Sequence, residues 1–242
     1  MRRKIVISAL AISGMFVSTA SLAQFTQEKN ISTSDVEIEM QVMNLSVFDA
    51  ESKQAMIANV AVAGLNPRKP VVFQSIADIT FEIRNYRLYT VSCVKEGYMY
   101  YSEKFWPEEK RVHEQDVELK KLSVGLRTDI RDITFLGNKT EIYHKSKPAL
   151  EDLIQFMSIN PSVMIAVIGH VNGPDNSRSE KFYNNASIER AEKVIEYLVE
   201  HGVQVERLQA KGMGNSEMLY PDPSTDWQNE ANRRIEIEIT AI

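Results

Sequence analysis

The side chains of this chain best suited to bond making or metal ligation are four histidines, His113, His144, His170 and His201, and a single cysteine, Cys93. A zinc hydrolase holds its metal with two histidines four residues apart on a helix around a glutamate, and no pair here has that spacing. Neither a G-x-S-x-G nucleophile elbow nor a glycine-rich phosphate loop is present. Cys93 stands in an alternating run over residues 89–94, where a small buried apolar role is expected of it. The chain therefore reads as non-catalytic, with no cofactor and no metal. What stands out instead is a pair of long polar stretches, residues 171–186 and 213–231, each flanked by strongly patterned elements. Loops of that length in a compact domain are often functional.

The elements that must carry those loops fall into two groups. With 242 residues, 43% hydrophobic and 25% charged, the chain has the composition of folded protein and room for two small domains. From residue 34 to about 122 the pattern has period two. Val36, Ile38, Met40 and Val42 share one face of a strand, and further strands are expected at 57–62, 71–74, 78–83, 88–95, 98–103 and 116–119. About seven short strands separated by turn signals such as Asn66-Pro67 and Glu96-Gly97 argue for a β-sandwich. The aromatic residues Tyr86, Tyr89, Tyr98, Tyr100, Tyr101, Phe105 and Trp106 could instead furnish the girdle of a membrane barrel. Against a barrel, Lys95, Glu96, Glu103 and Lys104 break the apolar rows that lipid-facing strands of about 9 to 11 residues require.

After Gly125 the period changes. A strand is expected at 130–135, then a helix opened by Ser146 and Pro148 and carried by Leu150, Leu153, Ile154 and Met157 up to Asn160-Pro161. The continuous apolar run 163–168 suits the middle of a sheet. A second helix is expected over 187–201, with Ile188, Ala191, Ile195 and Leu198 on one face, followed by strands at 207–211 and 234–239.

At the start, Arg2, Arg3 and Lys4 precede an apolar run over residues 5–17, and Ser21 and Ala23 fit a small-x-small cleavage site before Gln24. This predicts an exported chain with a signal peptide at 1–23. Its removal takes the formal charge from −5 to −8, an acidic balance that disfavours nucleic acid as a partner. No cysteine stands at the cleavage point to take a lipid, and no later segment is long and apolar enough to span a membrane directly.

Five stretches, I-T-F-L-G-N-K-T-E-I at 133–142, I-G-H at 168–170, S-I-E-R-A-E-K-V-I-E-Y at 187–197, G-V-Q-V-E-R-L-Q-A-K-G-M-G at 202–214 and N-R-R-I-E-I at 232–237, resemble the OmpA-like peptidoglycan-binding domain family in register. The stretches at 47–62 and 89–98 resemble carboxypeptidase-regulatory-like sandwich modules. The expected fold class is thus α+β: an antiparallel β-sandwich over 24–124, then a β-α-β-α-β-β domain over 125–242 with helices on one face of a mixed sheet. The OmpA-like resemblance implies noncovalent binding of peptidoglycan through the diaminopimelate of its stem peptide.

That ligand offers carboxylates and an ammonium group, so a receptor needs a fixed guanidinium and an acceptor. Arg190 matches the family's arginine. Where the family usually reads G-H-T-D, this chain reads Gly169-His170-Val171-Asn172, with Asp175 three residues on. Either Asn172 accepts the ammonium more weakly, or Asp175 replaces the acid, or binding is lost and the domain is an envelope scaffold. Asn138, Asn232 and Arg233 match the pocket rim, while His170 is read as a hydrogen-bonded residue shaping the loop. The resemblance implies a periplasmic protein associated with the outer membrane of a Gram-negative cell, with an envelope protein partner docked on the sandwich.

Overall fold

The computed structural model describes residues 40–85, 87–108, 111–130, 132–136 and 140–242. The expected signal peptide and the beginning of the first strand lie outside the described residues. Seven strands form the N-terminal half: β1 (Met40–Asp49), β2 (Ala58–Ala63), β3 (Val71–Ile76), β4 (Asp78–Arg84), β5 (Tyr89–Val94), β6 (Tyr101–Phe105) and β7 (Val112–Leu119). They make two sheets, ordered β4-β1-β7 and β3-β2-β5-β6. Strict alternation explains why they stack. Along β1, Met43, Leu45 and Val47 are buried, and they meet Val60, Val62, Tyr89, Val91 and Cys93 from the other sheet in one core. Cys93 is buried there, and desolvation pushes its thiol up to about 12, so it is an inert core residue. All strand pairs in the sandwich are antiparallel except β1 with β7, which run parallel. β1 also continues to Asp49, further than its acid-apolar alternation suggested, because its far half is covered on one face by the second sheet.

The C-terminal half contains β8 (Arg127–Ile130), α1 (Lys147–Ile159), β9 (Met164–Gly169), α2 (Glu180–Glu200), β10 (Leu208–Gly212), α3 (Asp226–Asn232) and β11 (Ile235–Ala241). The sheet order is β10-β9-β11-β8, with β10 parallel and β11 antiparallel to β9. Ile165 and Val167 of β9 and Ile235, Ile237 and Ile239 of β11 bury against Leu150, Leu153 and Phe156 of α1 and Ala191, Val194 and Leu198 of α2. On the other face, Glu238 pairs with Arg127 at 2.9 Å and Lys211 at 3.4 Å, so charged stems take the place of a helix. None of the described helices is long and apolar enough to cross a membrane.

Three expectations change. The strand expected at 130–135 ends at Ile130, because Asp132 takes a left-handed conformation (φ 69°) that turns the chain off the sheet edge. The second helix starts at Glu180 rather than at 187, capped by Ser179, whose side chain accepts from the Phe182 N–H. The stretch at 213–231 is not simply loop, since α3 forms within it behind a capping box of Thr225 and Gln228.

The two halves share apolar contacts. Val94, Met99 and Tyr100 of the sandwich belong to the core built around α1. Polar bonds cross the same junction: Ser92 Oγ donates to Asp152 on α1 at 2.6 Å, the Gly97 N–H donates to Asn160 Oδ1 at 2.9 Å, and Thr90 Oγ1 donates to Asp132 at 2.5 Å. Burial raises the Asp152 carboxyl above its ordinary value of 3.8, although the Ser92 and Tyr100 hydroxyls pull the other way. A carboxyl raised on folding gives stability that is complete below its unfolded value and lost as pH climbs through the folded one. Asp152→Asn should therefore gain in thermal midpoint relative to wild type as pH is taken from about 4 to 7. Melting curves across that interval check it, and a relative loss would mean that the junction holds the charged form better.

A buried guanidinium and an amide network

Close packing at the end of β9 places the candidate site. A Cβ built on Gly169 would lie 2.0 Å from the Ser187 carbonyl oxygen, so only glycine lets α2 approach the strand this closely. Gly212 of β10 does the same on the other side, where a Cβ would lie 2.5 Å from Ser187 Oγ. Ser187 is consequently fully buried, and Arg190, three residues on and so on the same face of the helix, is carried inward with it.

Arg190 is 6% exposed. Its guanidinium lies over the Phe135 ring at 5.2 Å from the centroid, and Nη1 donates a long hydrogen bond of 3.4 Å to the His170 carbonyl. Among the described residues, no carboxylate lies within ion-pair distance of it. Burial pulls its pKa below the usual arginine value, and the neighbouring charge of Arg233 adds to that. Arg233 is half-buried and likewise has no acid partner among the described residues. A desolvated cation beside a second cation is costly to hold without an anion.

Asn172 and Asn232 are brought together. Asn232 is fully buried, its Nδ2 donates to Asn172 Oδ1 at 2.8 Å and to the Tyr220 carbonyl at 2.7 Å, and its Oδ1 accepts from the Tyr220 N–H at 2.9 Å. Asn172 in turn donates from Nδ2 to Asn229 Oδ1 at 2.8 Å. Both ends of the Asn172 carboxamide are thus engaged by α3, which holds Asn229 and Asn232 three residues apart on one face. Asp175 is elsewhere, on the exposed part of the loop, where it accepts from the Ser177 N–H at 3.2 Å. That bond lowers its pKa and ties the carboxylate to its own turn. Asn138 lies outside the described residues. Beside the site, a cavity of about 550 Å³ is lined by Asn176, Arg178, Glu180, Asn184, Met213 and Asn215, and Arg190 is not part of its wall.

His170 is 1% exposed, and its Nε2 sits 3.4 Å from Glu236 Oε1, a long contact that leaves both ring nitrogens without a well-formed hydrogen bond. One atom each from His170, Glu217 and Glu236 lie within 4.8 Å of one another, a spacing a metal could use. Fixed cations already answer these acids. Arg234 Nη2 is 2.6 Å from Glu236 Oε1, and Arg127 Nη1 is 3.5 Å from Glu217 Oε2. Burial would raise the Glu236 carboxyl, but His170 and Arg234 outweigh it and bring the value down to about 2. The group is an ionic brace between β11 and the loop after β9.

Sequence reasoning did not single out Phe135, Asn229 or Tyr220. Phe135 was visible inside I-T-F-L-G-N, but nothing local reveals that it leaves the sheet to cover Arg190. Asn229 could have been flagged by the capping box that opens its helix.

On an α+β scaffold, these residues place two cations and a chain of carboxamides near the end of β9. Residues 134–233 match the model of the OmpA family. Outer membrane protein A of Escherichia fergusonii is 26% identical over 121 residues, which is 46% of this chain and 49% of that protein. The match thus spans about half of that relative's length. Among solved structures, the periplasmic domain of Helicobacter pylori MotB covers 50% of this chain and 76% of its own at 19% identity, with a TM-score of 0.42. The peptidoglycan-associated lipoprotein from Burkholderia pseudomallei covers 46% of this chain and 88% of its own at 17% identity, with a TM-score of 0.37.

Proposed function

We propose that this protein binds peptidoglycan without catalysis, seating a carboxylate of the stem peptide, that of diaminopimelate, on Arg190. The observation that carries the reading is a buried guanidinium lacking an acid partner among the described residues, inside the part of the chain that matches the OmpA family. In the cell it links the outer membrane, or an envelope complex held there, to the wall from the periplasmic side. The sandwich supplies the second contact. Among the described residues its edge strand β3 pairs on one side only, and Val72 on that strand is 56% exposed, which suits strand addition by a protein partner.

A second reading, an envelope scaffold that has lost wall binding, draws on the fully engaged carboxamide of Asn172. Sedimentation with purified sacculi separates the two. The protein should pellet with sacculi and be released by soluble stem-peptide fragments; protein that stays in the supernatant favours the scaffold. Asp175→Asn should pellet like wild type, because that carboxylate serves its own turn. Loss of pelleting in this variant would move the acceptor into the loop.

A further inference from the structure

Among the described residues, the groups that the contacts and charge effects place at Arg190 are of one charge or none. Arg190 and Arg233, whose charge is felt at Arg190, are the cations, and Asn172, Asn229 and Asn232, the last adjacent in sequence to Arg233, form a chain of neutral amides beginning two residues beyond the His170 carbonyl that Arg190 touches. The acid nearest Asn172 in sequence, Asp175, is exposed and held by Ser177. A carboxylate entering this site is attracted by both guanidiniums. An ammonium group on the adjacent carbon would be repelled by them, and it would find no anion among the described residues to offset that. An acylated nitrogen carries no charge and keeps an N–H, which the second lone pair of an asparagine carboxamide oxygen can accept.

We propose that the Arg190 site selects a carboxylate whose neighbouring nitrogen is acylated, that is, an N-acyl amino acid, over one beside a free ammonium group. The inference rests on the reading that the site binds the stem peptide. In peptidoglycan this chemistry has two sources: a diaminopimelate whose amine has been consumed by cross-linking, and the terminal residue of the peptide. The protein would then favour cross-linked wall over stems with a free branch amine.

The test is calorimetric titration of the full chain with three small probes: meso-diaminopimelate, its N,N′-diacetyl derivative and N-acetyl-D-alanine. The diacetyl compound should bind at least about tenfold tighter than the free amino acid, the scale of removing one unfavourable charge contact. Asn172→Asp, which restores an anion, should reverse that order, and Asn229→Asp, further out on the same network, should shift it the same way if the first variant fails to fold. N-acetyl-D-alanine binding as tightly as the diacetyl compound assigns the contact to the peptide terminus, and much weaker binding assigns it to the cross-linked branch. Equal or tighter binding of the free amino acid by wild type overturns the inference while the wall-binding reading stands. Sacculus pelleting with no binding of any probe overturns it too, and absence of both brings down the reading as well.

Discussion

Arg190→Met is expected to abolish pelleting with sacculi while holding the thermal midpoint at or above that of wild type. The two effects have opposite signs because the guanidinium plays no part in an internal ion pair among the described residues. Without a ligand it is a desolvated charge with one long hydrogen bond and the Phe135 ring as its other contact, so a side chain of similar volume that packs on the ring without the charge relieves a cost. In the complex it meets a carboxylate in the same desolvated place. Truncating one member of such a pair costs about 2 to 5 kcal/mol, roughly 30- to 4,000-fold in affinity. Binding isotherms on sacculi and a melting curve on the same preparation check both halves. A midpoint that falls by several degrees with binding intact would make Arg190 a structural residue and remove it from the site.

Gly169→Ala should be the most damaging single methyl addition around the site. The new carbon would fall 2.0 Å from the Ser187 carbonyl oxygen, a backbone atom that no rotamer change can move. Relief requires α2 to slide off β9. Overpacking of a core usually costs about 1 to 3 kcal/mol, and a clash with backbone belongs at or above the top of that range. For a chain of this size about 3 kcal/mol corresponds to a midpoint lower by roughly 6–12 °C. Because Arg190 lies three residues from Ser187 on the same helix face, any surviving folded protein should also bind sacculi less well. A midpoint within two degrees of wild type would show that the helix is not set by this contact.

Much of the scaffold was written locally. The apolar run of β9, the alternation of β11, β2 to β5 of the sandwich, and α1 between Pro148 and Asn160 appear where periodicity and breakers put them, whereas β6 begins three residues later than expected and β7 four residues earlier. Local signals failed where composition concealed them. The first two turns of α2 carry Asn184 and Asn185 and bury only Tyr183 before Ser187, so they lack the apolar stripe that marked the rest of the helix. Asp132 breaks β8 by its backbone conformation, which no residue pattern announces.

The sequence by itself determined most of the strand and helix periods and the presence of an arginine in the stretch at 187–197 that resembles the family's. Tertiary structure alone decided the company that arginine keeps. Phe135, the His170 carbonyl and Arg233 reach it from segments far apart in the chain, and Asn172 is claimed by two residues of a helix more than fifty positions away. The physical reason is that strand and helix periodicity is a property of neighbouring residues. The charge balance of a buried site depends instead on which distant segments the sheet order and the close helix contacts at Gly169 and Gly212 bring together.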